Sequence, residues 1–166
     1  MNFPLCPRFQ AVLFDMDGTL LDTLSDMQDA VNHILLENGW PQRTLEEIRV
    51  FVGNGAAKLM ERAIPEPIAP QRFHEILSTY KDWYQAHNCV KTAPYPGIPE
   101  VLAELEKMGV KTAVVSNKPD ATTKALAEKF FPGMPALGQR DGVDPKPSPA
   151  LVAQALSDLG VRPENA

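Results

Sequence analysis

The hydrophobic positions fall into two kinds of pattern. Phe9 to Phe14, "FQAVLF", is a short apolar run between polar residues, and Gly109 to Asn117, "GVKTAVVSN", repeats it. Such runs predict strands buried on both faces, hence parallel ones. Pro135 to Gln139 predicts a third, shorter strand. Between and after the runs the period changes to that of a helix. Val101, Leu102, Leu105 and Met108 share one face of a helix over Pro99 to Met108, with Gly109 as its stop. Ser148 is placed to cap a helix that has Pro149 at its first position, with Leu151, Val152, Ala155, Leu156 and Leu159 as its stripe and Gly160 as its end. Alternating strands and helices predict an α/β fold with an open parallel sheet.

Residues 23–90 carry only the helical period. Met27, Ala30, Val31, Ile34 and Leu35 mark one amphipathic helix that ends near Gly39, and Thr44 with Glu47 forms a capping box for the next. "VGNG" interrupts, helix resumes over Ala56 to Ala63, and Phe73, Ile76, Leu77, Tyr80, Trp83 and Tyr84 mark a longer one. The pattern divides the chain into an α/β core, residues 1–22 and 91–166, and an all-helical insertion, residues 23–90. Val90 to Pro99, "VKTAPYPGIP", is the return linker.

Composition narrows the classes. The chain has 166 residues and a formal charge of −5, enough to bury a sizeable core and without the basic stripe of a nucleic-acid surface. Its 2 cysteines, Cys6 and Cys89, are too few for a disulfide framework. "MNFPLCPRFQ" lacks the order of a signal peptide, and no apolar run reaches membrane-spanning length. These features predict a soluble cytoplasmic protein with no membrane partner.

The chemistry lies where the apolar runs stop. Asp15 and Asp17 follow the first strand two residues apart, close enough to share a face, and Gly18 lets the backbone turn at once. In open parallel sheets, ligands bind at the carboxyl ends of strands. Two carboxylates there repel unless a cation offsets them, and together they can divide the work of nucleophile and proton carrier. They are otherwise two solvated loop acids. A calcium loop is excluded, because its fifth and sixth positions would be Thr19 and Leu20. The second strand ends in Ser116 and Asn117, a hydroxyl and an amide able to hold an oxyanion, though Ser-Asn also serves as a plain strand-to-helix turn. Lys146 lies in the proline-stiffened "DPKPSP", where a surface lysine is the ordinary alternative.

"VLFDMDGTLLD", "VVSN" and "KPSP", in this order and spacing, resemble the motifs of the haloacid dehalogenase-like hydrolase superfamily, and the likeness covers nearly the whole chain. The resemblance implies an open, Rossmann-like parallel sheet with a helical cap inserted after the first strand. It implies a Mg²⁺-dependent phosphomonoester hydrolase working through an aspartyl-phosphate. Asp15 would be the nucleophile and Asp17 the acid and base; one Asp15 oxygen and the Asp17 backbone carbonyl would hold the ion. Ser116 would bind a phosphoryl oxygen, with Thr19 and Asn117 as further substrate contacts, and Lys146 would offset negative charge. Family dehalogenases place an aromatic at the position of Asp17, phosphonatases a small apolar residue and P-type ATPases a Thr-Gly pair, so an acid there favours phosphate monoesters.

"FVGNGAAKLMERAI", Phe51 to Ile64, resembles phosphoglycolate phosphatases. Gly53, Asn54 and Gly55 are then either an anion contact at a helix start or a tight turn between cap helices. Arg62 is either a contact for a substrate carboxylate or a surface residue. The partner expected is a small phosphorylated metabolite such as 2-phosphoglycolate; a sugar-phosphate phosphatase or phosphomutase is the alternative. The family's fourth motif, a strand ending in Gly-Asp with further acids, has no counterpart before Ala166. Asp158 falls inside a helical pattern, and Asp141 and Asp144 match no family metal position. The sequence therefore also predicts a truncated chain with weak Mg²⁺ binding and slow turnover, or a non-catalytic remnant.

Overall fold

The structure is a computed structural model and describes residues 9–166. Cys6 and the other residues at positions 1–8 lie outside the described residues; Cys89 is a half-buried free thiol. In chain order the elements are β1 (Ala11–Phe14), β2 (Leu21–Asp22), α1 (Leu24–Glu37), α2 (Leu45–Phe51), α3 (Gly55–Ala63), α4 (Pro70–His87), β3 (Ala93–Pro94), α5 (Ile98–Lys107), β4 (Lys111–Pro119), α6 (Asp120–Phe130), β5 (Ala136–Gln139) and α7 (Ala150–Leu159). The chain forms two compact units: residues up to Leu20 with Pro94–Ala166, and Leu21–Ala93.

The first unit is α/β. Its sheet is parallel, in the order β1-β4-β5. The central β4 is the best buried, with Ala113, Val114, Val115 and Ser116 all inside. β1 pairs with β4 from Ala11↔Lys111 to Phe14↔Val114. It lies at the edge of this sheet, so only Ala11 is fully buried and Val12, Leu13 and Phe14 are half-buried, not enclosed on both faces as the apolar run predicts. α7 covers β4 with Leu151 and Ala155 against Val115, and sets Leu156 beside Ala11. That helix starts one residue later than predicted, with Pro149 as the cap residue, and the Ser148 hydroxyl accepts the Ala150 N–H at 3.4 Å. α5 keeps the predicted position, but none of its residues is buried; Val101 is 47% exposed and Met108 39%. An amphipathic stripe shows which face could be covered, and no element among the described residues fully covers this one.

The second unit is helical. Its core joins Met27, Ala30, Val31, Ile34 and Leu35 of α1 to Ile48, Leu59, Met60, Ile76, Tyr80 and Tyr84. The capping box at Thr44 and Glu47 forms as predicted: the Thr44 hydroxyl accepts the Glu47 N–H, and the Glu47 carboxylate accepts the Thr44 N–H at 2.8 Å. Those bonds hold the Glu47 carboxyl below its ordinary range, the Thr44 backbone N–H first and then the Thr44 hydroxyl. Asp26 is a residue the periodicity does not single out. It is 1% exposed, and its carboxylate accepts the backbone N–H groups of Val90, Lys91 and Thr92 and the Thr92 hydroxyl, at 2.7–3.1 Å. It fastens the end of the unit to the start of α1.

Candidate active site

β1 delivers Asp15, and the chain turns at once. Gly18 takes φ 76°, in the left-handed region that side chains disfavour, and the N–H groups of Thr19 and Leu20 both reach the Met16 carbonyl. Met16 and Leu20 are fully buried and anchor the turn, while Thr19 is exposed. The Asp15 Oδ1 accepts the Met16 N–H at 2.7 Å, which orients the carboxylate, and the side chain stays 46% exposed.

β4 supplies the second part. Val115 pairs with Leu137 and Pro119 with Gln139, so β4 advances four residues while β5 advances two. A bulge of this kind breaks the regular alternation and re-aims side chains. The strand thus runs on to Pro119, beyond the predicted end at Asn117. Ser116 is buried, and its Oγ accepts the Lys118 N–H at 3.2 Å. Lys118 buries its side chain to 3% exposure and sets its ammonium 3.1 Å from Asp17 Oδ1. A lysine just past an apolar strand is the signal that sequence reading passed over.

The loop after β5 supplies the third part. Lys146 Nζ lies 3.0 Å from Asp15 Oδ1 and donates to the Val115 carbonyl at 2.7 Å. Asn117 grips the same loop: its Nδ2 donates to the Lys146 carbonyl at 3.0 Å and its Oδ1 accepts the Lys146 N–H at 2.7 Å. One N–H and the oxygen of its amide thus hold the Lys146 backbone. Gln139 braces the loop further, its Nε2 donating to the Arg140 carbonyl at 3.1 Å.

Asp15, Asp17, Ser116, Asn117 and Lys146 thus meet at the carboxyl ends of two neighbouring strands, with Lys118 added to them. Each aspartate faces its own lysine. At ~3 Å and an effective dielectric near 20, each contact has a gross attraction of about 5 kcal/mol, which offsets the desolvation of the ammonium. The half-exposed Asp15 carboxylate is a hard oxygen donor of the kind Mg²⁺ prefers, and with the Asp17 carbonyl and water it would suit the ion in kind. No group of three or more His, Cys, Asp or Glu gathers among the described residues. Asp158 accepts the Gln154 amide along its own helix, far from this role.

Gly53, Asn54, Gly55 and Arg62 belong to the helical unit. Gly53 and Gly55 take φ of 120° and 83°, and Arg62 donates to the Phe51 carbonyl at 2.7 Å and to Asn54 Oδ1 at 3.0 Å. The guanidinium is engaged in holding that loop.

A family model described as haloacid dehalogenase-like hydrolase matches residues 12–166. Phosphoglycolate phosphatase of Pseudomonas putida is 32% identical over 92% of this chain and 59% of its own length. N-acetylmuramic acid 6-phosphate phosphatase of Pseudomonas aeruginosa is 34% identical over 94% of this chain and 70% of its own. The chain thus spans 59% of the first of these relatives. A crystal structure from Lactobacillus delbrueckii subsp. bulgaricus superimposes with a TM-score of 0.85 at 34% identity, over 93% of this chain and 74% of that one. CbbY of Rhodobacter sphaeroides, solved as a variant in complex with xylulose-(1,5)-bisphosphate, gives 0.73 at 26% identity, over 95% and 76%. The family match takes in both aspartates, both of their lysines and the whole helical unit, and the chain belongs to the haloacid dehalogenase-like hydrolase family.

Proposed function

We propose that this chain hydrolyses small phosphate monoesters through an aspartyl-phosphate on Asp15. The observation that carries this reading is the pairing of two adjacent acids with two separate ammoniums at the strand ends, Asp15 with Lys146 and Asp17 with Lys118. Asp15 attacks phosphorus; its O–P bond forms as the bond to the leaving oxygen breaks. Asp17, protonated, gives its proton to that oxygen. As a carboxylate it then takes a proton from water, whose oxygen attacks phosphorus while the Asp15 O–P bond breaks. Phosphate leaves and both acids return to their starting forms. Ser116 and Thr19 contact phosphoryl oxygens, Lys146 shares their charge, and Asn117 acts by fixing Lys146. Phosphoryl transfer is mostly positioning and charge stabilisation, so this sparse set suffices in kind. Asp15 and the Asp17 carbonyl would hold Mg²⁺, whose charge offsets that of the phosphoryl group.

The domain reading rests on the family resemblance: Leu21–Ala93 acts as a cap, with Gly53, Asn54 and Gly55 as its candidate substrate contacts. Phosphoglycolate phosphatases among the relatives favour 2-phosphoglycolate as substrate. The muramic acid phosphate phosphatase and the sugar bisphosphate in the CbbY complex favour a sugar phosphate as the second reading. A substrate panel with Mg²⁺ decides: 2-phosphoglycolate, hexose phosphates and N-acetylmuramic acid 6-phosphate, followed by phosphate release. Preference for 2-phosphoglycolate supports the first reading and preference for a sugar ester the second. No turnover on any ester marks a non-catalytic chain.

A further inference from the structure

Lys118 has no chemical step in the mechanism above, yet its side chain, 3% exposed, is more deeply buried than those of Asp15, Asp17 or Lys146. A buried ammonium is costly unless it is compensated, and an acid that faces this one at 3.1 Å is the proposed proton carrier. We propose that Lys118 is a positioning residue for Asp17, holding its carboxylate by Oδ1 in the orientation that serves both proton transfers. The inference rests on the reading of Asp17 as acid and base.

Three observations carry it. The ammonium is placed by design of the backbone: the β4 bulge lies between Val115 and Pro119, and Lys118 is inside it. That backbone is gripped from both sides. The Lys118 N–H goes to Ser116 Oγ, and its carbonyl accepts the Thr123 hydroxyl at 3.2 Å. β5 approaches so closely that a Cβ at Gly138 would lie 2.6 Å from the Lys118 carbonyl oxygen. Finally, the two lysine–aspartate pairs differ in exposure. Lys146 and Asp15 are 25% and 46% exposed, as a pair that meets substrate must be; Lys118 is closed off from solvent, with its ammonium against Asp17.

An ion pair that merely supported the fold would leave the division of kinetic effects untouched, so the test is kinetic. Lys118→Met, Asp17→Asn and the double variant are compared with the unsubstituted chain on the best ester of the panel. We expect Lys118→Met to lower kcat by about 10- to 100-fold with KM within about threefold, the signature of an interaction that matters in the transition state. The acid-quenched protein should carry phosphate, seen by intact mass, as is expected of Asp17→Asn. The double variant should be no slower than Asp17→Asn alone, because the lysine acts through that carboxylate. Unchanged kcat, a large rise in KM, or losses that multiply in the double variant overturn the inference. If Lys118→Met does not fold, the double variant, which removes both charges, decides alone: turnover equal to that of Asp17→Asn supports the inference, and a further loss overturns it. Absence of turnover in the unsubstituted chain overturns the phosphatase reading and this one together, whereas turnover with multiplying losses overturns this one only.

Discussion

Single residues at the site differ in what their removal exposes. Asp15→Asn keeps the shape of the side chain and loses the nucleophile, so turnover should fall by at least about a thousandfold with circular dichroism unchanged. Asp17→Asn should slow turnover less and let phosphoenzyme accumulate, because water lacks its base. Equal activity in Asp15→Asn would end the covalent mechanism. Lys146 makes a prediction of two signs. Its ammonium lies 3.0 Å from Oδ1 of Asp15, the carboxylate that would hold the ion. Lys146→Ala should therefore weaken inorganic phosphate binding and lower the rate, yet tighten Mg²⁺ binding by about tenfold, since a competing cation has gone. Calorimetric titration with each ligand separates the two effects; Mg²⁺ binding that is unchanged or weaker would show that the lysine does not compete with the ion for the Asp15 carboxylate.

Elements are held in place by a few buried or paired carboxylates. Asp26, at the start of α1, accepts three backbone N–H groups and one hydroxyl from the end of the helical unit. Asp26→Ala leaves those donors without their acceptor and should lower stability by about 3 kcal/mol, read as a shift in the urea midpoint at constant slope. Asp120 joins the start of α6 to β5: its Oδ1 accepts the Gly138 N–H at 2.9 Å and its Oδ2 meets Lys124 at 2.7 Å. Burial pushes the Asp120 carboxyl up, but Lys124, the Gly138 N–H and Arg140 outweigh it and leave it below its ordinary 3.8. A carboxyl depressed on folding adds stability that is fully present above its unfolded pKa and is lost as the pH falls through the lower folded one. Asp120→Asn should therefore destabilise at neutral pH, and the gap to the unsubstituted chain should shrink as the pH falls below about 4. Urea midpoints across that range test it, and a gap independent of pH would refute it.

At the scale of the molecule, the helical unit carries its own core and its own fastening. Its buried side chains pack with one another, and Asp26 binds the far end of the unit to the near one. Leu21–Ala93 expressed alone should keep its helical circular dichroism and melt cooperatively. Asp26→Ala should broaden or abolish that transition, because the ends then come loose. A featureless melt of the unsubstituted unit would mean that it needs the α/β unit to fold.

The sequence by itself determined the family and most of the elements; helix α6 and the two-residue strands β2 and β3 carry no pattern that it singled out. Helical and strand periods report which side chains face a core, and that is why the stripe of α1, the capping box at Thr44 and the strand run of β4 are legible without coordinates. "DMDGTLLD" and "KPSP" likewise mark Asp15, Asp17 and Lys146 as candidates, through their resemblance to the family's motifs. Tertiary structure decided what periodicity does not encode. β1 turned out half-buried because sheet order, not the apolar run, sets which strand lies at an edge. Asn117 became the holder of Lys146 and Lys118 the partner of Asp17, because a bulge shifted β4 against β5 by two residues. Asp26 reads as an ordinary acid of a first helical turn until Val90, Lys91 and Thr92 are brought to it from more than sixty residues away. Local sequence specifies the conformations of neighbours in the chain. Pairing between distant charges depends on where the packed elements set them down, and only the folded structure shows that.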